Sequence, residues 1–153
     1  MKIRIEIDEN LEEDEVTIKC KEINQTIKRV QQSISSANLI PKLIFYKNDT
    51  EYYLNINDIL FFETSENSVE AHTEKEVYKI KYRLYELEEM LPNNFVRVSK
   101  STILNVNQIY SINRNLTSSS LVQFYKSYKQ VYVSRNYNKI LKQRLEERRN
   151  YEI

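Results

Sequence analysis

The sequence predicts a mostly β fold, α+β overall, in which short strands and short helices follow an N-terminal β-hairpin and helix. Three observations carry this expectation. About ten short β-rich runs crowd into the residues after Lys42. Clusters of Asn, Asp and Ser punctuate them, and these residues favour turns. Only three stretches space their apolar residues at the interval of three and four that a helix needs. At 153 residues the chain has the length of one domain with a short appendage.

The elements follow in order. Ile3, Ile5 and Ile7 fall on one face at period two, which predicts a strand over residues 1–8. The polar run 10–14 reads as a turn. Val16, Ile18 and Cys20 repeat the alternation, so the two strands are expected to pair as a hairpin with Cys20 in its core. Ile23, Ile27, Val30 and Ile34 form the stripe of an amphipathic helix over about residues 21–36, ended by Ser35, Ser36 and Pro41. Strands are then expected at 43–46, 51–54, 59–64, 69–73 and 77–82. Leu84, Leu87 and Leu91 mark a helix that Pro92 closes. Strands resume at 95–98, 103–104, 108–113, 120–125 and 130–133, and a last helix starts at Asn136 with Tyr137, Ile140, Leu141 and Leu145 on one side.

Composition narrows the function. Hydrophobic residues make up 41% and charged residues 29%, enough for a folded core. Glycine is absent, which removes phosphate-cradling loops, the dinucleotide fingerprint and the nucleophile elbow, since each needs backbone positions that glycine alone fits. One cysteine and one histidine cannot build a closed metal site, and nothing calls for a cofactor. Glu86, Glu88 and Glu89 lie together without a histidine partner and read as a solvated helix face, so an enzyme is not expected. No stretch approaches the roughly 18 apolar residues of a membrane span, and the N-terminus lacks a signal-peptide core. A cytoplasmic protein without direct membrane insertion is expected.

The formal net charge of +1 conceals a dipole. Residues 1–41 carry −2, residues 42–94 carry −5, and residues 95–153 carry +8. No acidic residue occurs between Glu89 and Glu146, a stretch that holds Arg97, Lys100, Arg114, Arg135, Lys139 and Lys142 among its cations. A solvated surface normally mixes both signs. An unmixed basic segment neutralises phosphates and steers association, so a nucleic acid is the expected partner.

Four segments, in order, carry a family resemblance: Ile56-Asn57-Asp58-Ile59-Leu60-Phe61-Phe62-Glu63, the leucine-rich stretch 84–91, Phe95-Val96-Arg97-Val98-Ser99-Lys100-Ser101-Thr102-Ile103-Leu104-Asn105, and Val133-Ser134-Arg135-Asn136-Tyr137. The chain resembles the LytTR DNA-binding domain of bacterial transcription regulators over about residues 43–145. The resemblance implies a multi-sheet β domain over residues 42–153 in which loops, in place of a recognition helix, enter the grooves of duplex DNA at repeated half-sites. It implies three DNA-facing connections: the loop after Glu63, the turn around Lys100, and the segment entering the last helix.

Residue types support part of that list. Arg135, at a helix start, suits two bonds to a guanine edge, where free backbone N–H groups meet the adjoining phosphate. Lys100, flanked by Ser99 and Ser101, offers a cation and two hydroxyls. Asn138 and Lys139 are expected phosphate contacts. Arg97 reaches phosphate or pairs with a carboxylate. Asn67 and Ser68 contact DNA through neutral hydrogen bonds or form a plain turn, because Val69 and Glu70 stand where relatives often carry a basic or imidazole side chain. His72 is expected to be structural, and Asn105 a capping residue.

Residues 1–41 are too few for a receiver domain. They resemble the extension of stand-alone members, some of which a small membrane protein restrains. Their helix either covers its own hairpin or forms a homodimer interface. The alternative function is an RNA- or single-strand-binding module, to which the 12 tyrosines would contribute stacking platforms. Tyr46, Tyr53, Tyr110 and Tyr132 sit in strand patterns, where core packing or sheet cover explains them.

Overall fold

The β-rich runs beyond Lys42 become ten strands in the computed structural model, which describes residues 1–12, 14–37, 42–114 and 119–151. Pro41 lies outside the described residues. The chain divides into two units, Met1–Ile34 and Ser35–Ile153.

In the larger unit the strands are β1 (Phe45–Lys47), β2 (Thr50–Tyr52), β3 (Phe61–Ser65), β4 (Ser68–His72), β5 (Val77–Ile80), β6 (Phe95–Ser99), β7 (Thr102–Asn105), β8 (Ile109–Arg114), β9 (Ser120–Phe124) and β10 (Gln130–Val133). Seven form one sheet in the order β2-β1-β5-β4-β3-β7-β6, and three form a second in the order β10-β9-β8. Every pairing is antiparallel.

Register explains the two cores. Ile103, Phe62, Ala71 and Tyr78 line up across four strands of the large sheet, on the face that a short helix, Leu84–Met90, covers with Leu84 and Leu87. The neighbouring row, Leu104, Phe61 and His72, points to the opposite face. There Phe61 and Leu104 pack with Val122, Phe124, Val131 and Val133 of the small sheet and with Leu141. Phe45 and Phe62 are fully enclosed, and burying such a side chain stabilises by about 1.5–3 kcal/mol.

Lacking glycine, the chain turns with other residues. Asn48 and Asp49 both adopt positive φ (50° and 62°) between β1 and β2, the geometry a two-residue hairpin loop needs. Two further corners repeat one motif. Asn55 caps the 3-10 turn Ile56–Asp58 by accepting from the Asn57 N–H at 3.0 Å, and Asn105 caps Val106–Gln108 through the Asn107 N–H at 3.1 Å. The buried Asn105 also donates from Nδ2 to the Ile59 carbonyl at 3.0 Å, tying the corners together and serving as the expected cap.

The last helix starts with a 3-10 turn at Arg135–Tyr137 and continues as the α-helix Asn138–Tyr151. Tyr137, Leu141 and Leu145 form its packed face, while Ile140 is exposed, a correction to the predicted stripe. Tyr53, Tyr110 and Tyr132 are also exposed, so core packing does not explain them.

The N-terminal unit departs most from expectation. Residues 1–20 contain no strand among those described, and Cys20 is exposed rather than buried in a hairpin. An isolated two-stranded hairpin is marginal in water, and the chain here turns locally instead: Asp8 Oδ1 accepts from the Asn10 N–H at 3.0 Å. The helix runs Gln25–Ala37, later than predicted, because Asn24 caps it by accepting from the Ile27 N–H at 3.0 Å. Ile23 therefore falls before the helix and is exposed, while Ile27, Val30 and Ile34 are half-buried.

Candidate nucleic-acid interface

Backbone hydrogen bonds gather three connections at one end of the large sheet. The β3–β4 hairpin turns through Glu66 and Asn67, since Ser65 pairs with Ser68. The β6–β7 hairpin turns through Lys100 and Ser101, since Ser99 pairs with Thr102. As β3 also pairs with β7, the tips are neighbours, and the Thr64 N–H donates to the Ser101 carbonyl at 2.9 Å. The Ser134 N–H donates to the Val98 carbonyl at 2.9 Å, which brings the segment entering the last helix to the same edge.

Cations crowd this edge. Lys100, Arg135 and Lys139 are exposed, and none has an ion-pair partner among the described residues. Ser99 and Ser101 flank Lys100 with their hydroxyls 3.3 Å apart, and the Ser101 N–H donates to Ser99 Oγ at 3.2 Å. Asn138 is half-buried, its Oδ1 accepting from Ser120 Oγ at 3.1 Å, so it locks the helix start to the small sheet.

Arg97 is engaged inside the protein. Its Nε donates to the Ser99 carbonyl at 2.6 Å, one terminal nitrogen lies 3.1 Å from a Glu88 carboxylate oxygen, and the other donates to the Lys100 carbonyl. The predicted pairing with a carboxylate is formed, and together with the two carbonyl bonds it braces the Lys100 turn.

The first tip has other chemistry. Asn67 is exposed, and Ser68 Oγ donates to the Ser65 carbonyl at 3.3 Å. Val69 is buried in the core. Glu70 stands opposite Glu63, whose carboxyl is held above its usual range by burial and by the Glu70 charge. His72 stacks on Phe61 with centroids 4.2 Å apart. Burial, aided by Lys129, pushes its pKa down to about 4, so at neutral pH the ring is uncharged. The oxygens of Glu63 and Glu70, 3.3 and 3.8 Å from His72 Nε2, are then neighbours without an ion pair.

Three further cations belong to this region that motif reasoning had not selected. Arg114 shares a row with Ser120 and Val133 across the small sheet, one residue from Ser134. Lys81 and Arg83 line an open groove of about 1540 Å³ together with Asn67, Arg97 and Lys100. Their signal was hidden because they sit in the acidic segment 42–94. Lys126 and Lys129 belong instead to the β9–β10 connection, where Lys129 Nζ donates to the carbonyls of Thr73 and Glu76, both at 2.9 Å. The basic stretch is thus split between two ends of the fold.

Comparison with known proteins identifies the family. The LytTr DNA-binding domain family matches residues 49–146. An uncharacterized HTH-type transcriptional regulator of Staphylococcus aureus strain COL is 32% identical over 146 residues, covering 95% of this chain and 98% of the relative. Its counterpart in strain N315 is also 32% identical over the same lengths. A solved LytTr DNA-binding domain of a methyl-accepting/DNA response regulator from Bacillus cereus superposes with a TM-score of 0.63 at 25% identity, covering 69% of this chain and 98% of that one. The relatives' names mention a helix-turn-helix, yet here five strands separate each helix from the next among the described residues. With a family match over residues 49–146, relatives 32% identical along 95% of its length and a structural match over 69% of it, the chain belongs to the LytTr DNA-binding domain family.

Proposed function

We propose that the protein is a transcription regulator that binds duplex DNA sequence-specifically, entering the grooves with the three gathered connections at repeated half-sites. The observation that carries this reading is their convergence at one edge where Lys100, Arg135 and Lys139 lack an ion-pair partner among the described residues. Arg135 reads a guanine edge. Lys100, Ser99, Ser101 and Lys139 hold phosphates, joined by Arg114 and by the amide nitrogen of Asn138. Arg97 supports the turn from behind. Asn67 and Ser68 add neutral hydrogen bonds, with the acidic first hairpin forming a wall of the site.

Residues 1–41 serve as a dimerisation extension to the DNA-binding domain 42–153, and two copies occupy two half-sites. Such a protein works in the cytoplasm. No helix among the described residues is long and apolar enough to cross a membrane, so restraint by a small membrane protein would require contact with a separate chain.

Selection of bound duplexes from a random pool tests the reading. The expected product is one half-site repeated at about one helical turn or its multiple. Arg135→Ala should then lose about 1–3 kcal/mol on the selected duplex and relax preference at one base pair. Equal binding of selected and scrambled duplexes by the parent would remove sequence reading. Preference for single strands in competition would favour the RNA or single-strand alternative, with the exposed tyrosines as its platforms.

A further inference from the structure

We propose that residues 2–8 form the contact between two copies of the chain, pairing antiparallel about Ile5. This deepens the dimer reading above and rests on it. Ile3, Ile5 and Ile7 are 89%, 86% and 91% exposed, although they alternate as a half-buried strand does. No strand pairs with them among the described residues. Arg4 Nε lies 3.0 Å from Glu6 Oε1, so these even-numbered side chains share the other face.

That other face reads Lys2, Arg4, Glu6, Asp8: two cations, then two acids. With Ile5 opposite Ile5 in a second copy, Lys2 meets Asp8, Arg4 meets Glu6 and Ile3 meets Ile7, each twice. Opposite charges facing one another stabilise a strand pair, and like charges destabilise it. A slip by two residues sets Arg4 against Arg4, or Glu6 against Glu6. A slip by one sets isoleucine against charge. In-register parallel pairing stacks every charge on its like. The central register pairs four opposite charges and no like ones, whereas a two-residue slip keeps only two opposite pairs and adds a like pair, so the segment is fully self-complementary in one register.

The same pairing accounts for the hairpin that the single chain does not form. A two-stranded ribbon is marginal by itself, whereas more strands over an apolar face are stable. The alternating stretch Val16, Ile18, Cys20 supplies an outer strand from each copy. The isoleucine face then lies ready for the half-buried Ile27, Val30 and Ile34 of the N-terminal helix.

Cross-linking of the full chain tests the register. In a Cys20→Ser background, Ile5→Cys should give a covalent dimer under mild oxidation. Ile3→Cys alone should not, since its two copies stand four residues apart, about 13 Å, beyond disulfide reach. Ile3→Cys mixed with Ile7→Cys should cross-link. Charge exchange gives a second readout: Arg4→Glu and Glu6→Arg should each weaken self-association at least tenfold, and mixing the two should restore a heterodimer. A chain that is dimeric by light scattering but shows neither the Ile5→Cys link nor the heterodimer overturns this interface and leaves the dimer standing. A monomeric parent at tens of micromolar overturns both, while duplex selection reports on DNA recognition separately.

Discussion

The β3–β4 and β6–β7 hairpins lie side by side in one sheet, each closed by a two-residue loop, and end in opposite chemistry. The first presents Glu66 and Asn67 above the facing acids Glu63 and Glu70. The second presents Lys100 between two serine hydroxyls, with Arg97 bonded to the carbonyls of Ser99 and Lys100 beneath it. Backbone register brings both tips to the same end of the sheet, and side chains alone decide what each offers. A shared fold therefore carries over the location of a loop but not its chemistry.

The largest expected effect concerns the foot of the first hairpin. His72 has a pKa near 4 in the folded chain against an ordinary value of 6.5, mainly through burial and secondarily through Lys129. As pH falls, the unfolded chain takes up the proton first. The stability that the neutral ring contributes is thus complete above pH 6.5 and lost between 6.5 and 4, by up to about 3 kcal/mol. Glu63, held above its usual carboxylate range, works in the opposite direction at the acid end of that window. Urea unfolding at pH 7 and pH 4.5 measures the sum, and His72→Phe should flatten it. A parent whose pH dependence matches that of the variant would show that His72 does not set it.

The second hairpin should respond through DNA binding. Arg97→Met removes hydrogen bonds from a charged group to two carbonyls of the turn, each contact of this kind contributing about 1.5–3 kcal/mol in a folded structure. The expected result is a loss of duplex affinity of about 2 kcal/mol with an unchanged salt slope, since Arg97 braces the turn without meeting phosphate. Arg97→Lys should not rescue it, because an ammonium cannot reproduce the planar fork. Lys100→Ala should cost less, about 1 kcal/mol, but lower the salt slope by about one. Affinity titrations over a range of salt separate the two residues. If Arg97→Met changes the slope and Lys100→Ala does not, the roles are reversed.

This contrast also marks what sequence could and could not reveal. β-rich runs set off by Asn, Asp and Ser clusters located all ten strands, because β-branched and aromatic residues suit a pleated sheet and those polar residues suit its turns. Period-two alternation misled at residues 1–20, where it lacks an intramolecular partner to form a ladder. Asn24 carried a legible helix-start signal ahead of the Ile27 N–H, but the apolar stripe drew the boundary back to Lys21. The candidate interface was legible as residue types and obscure as geometry. Arg97 looks like any basic residue until the bulge near Ser99 turns it toward two carbonyls. Arg114 joins the edge only through the Arg114, Ser120, Val133 row, a long-range register that no local pattern encodes.

The smallest expected effect is at Glu66, where two unfavourable features coincide. Its φ is 50°, in the left-handed region, while the adjacent asparagine does not take that conformation. For a residue other than glycine, asparagine or aspartate this costs about 1–2 kcal/mol. Its carboxylate also stands at an edge read here as facing phosphates. Glu66→Asn relieves both, so stability should rise by about 0.5–1 kcal/mol, and duplex affinity by a few tenths of a kcal/mol at low salt. Glu66→Gln removes the charge and keeps the backbone cost, so it should give the affinity gain without the stability gain. Thermal unfolding and low-salt binding of both variants distinguish these contributions. Unchanged affinity in Glu66→Gln would place the first tip away from the duplex and leave the Lys100 turn and Arg135 to carry recognition.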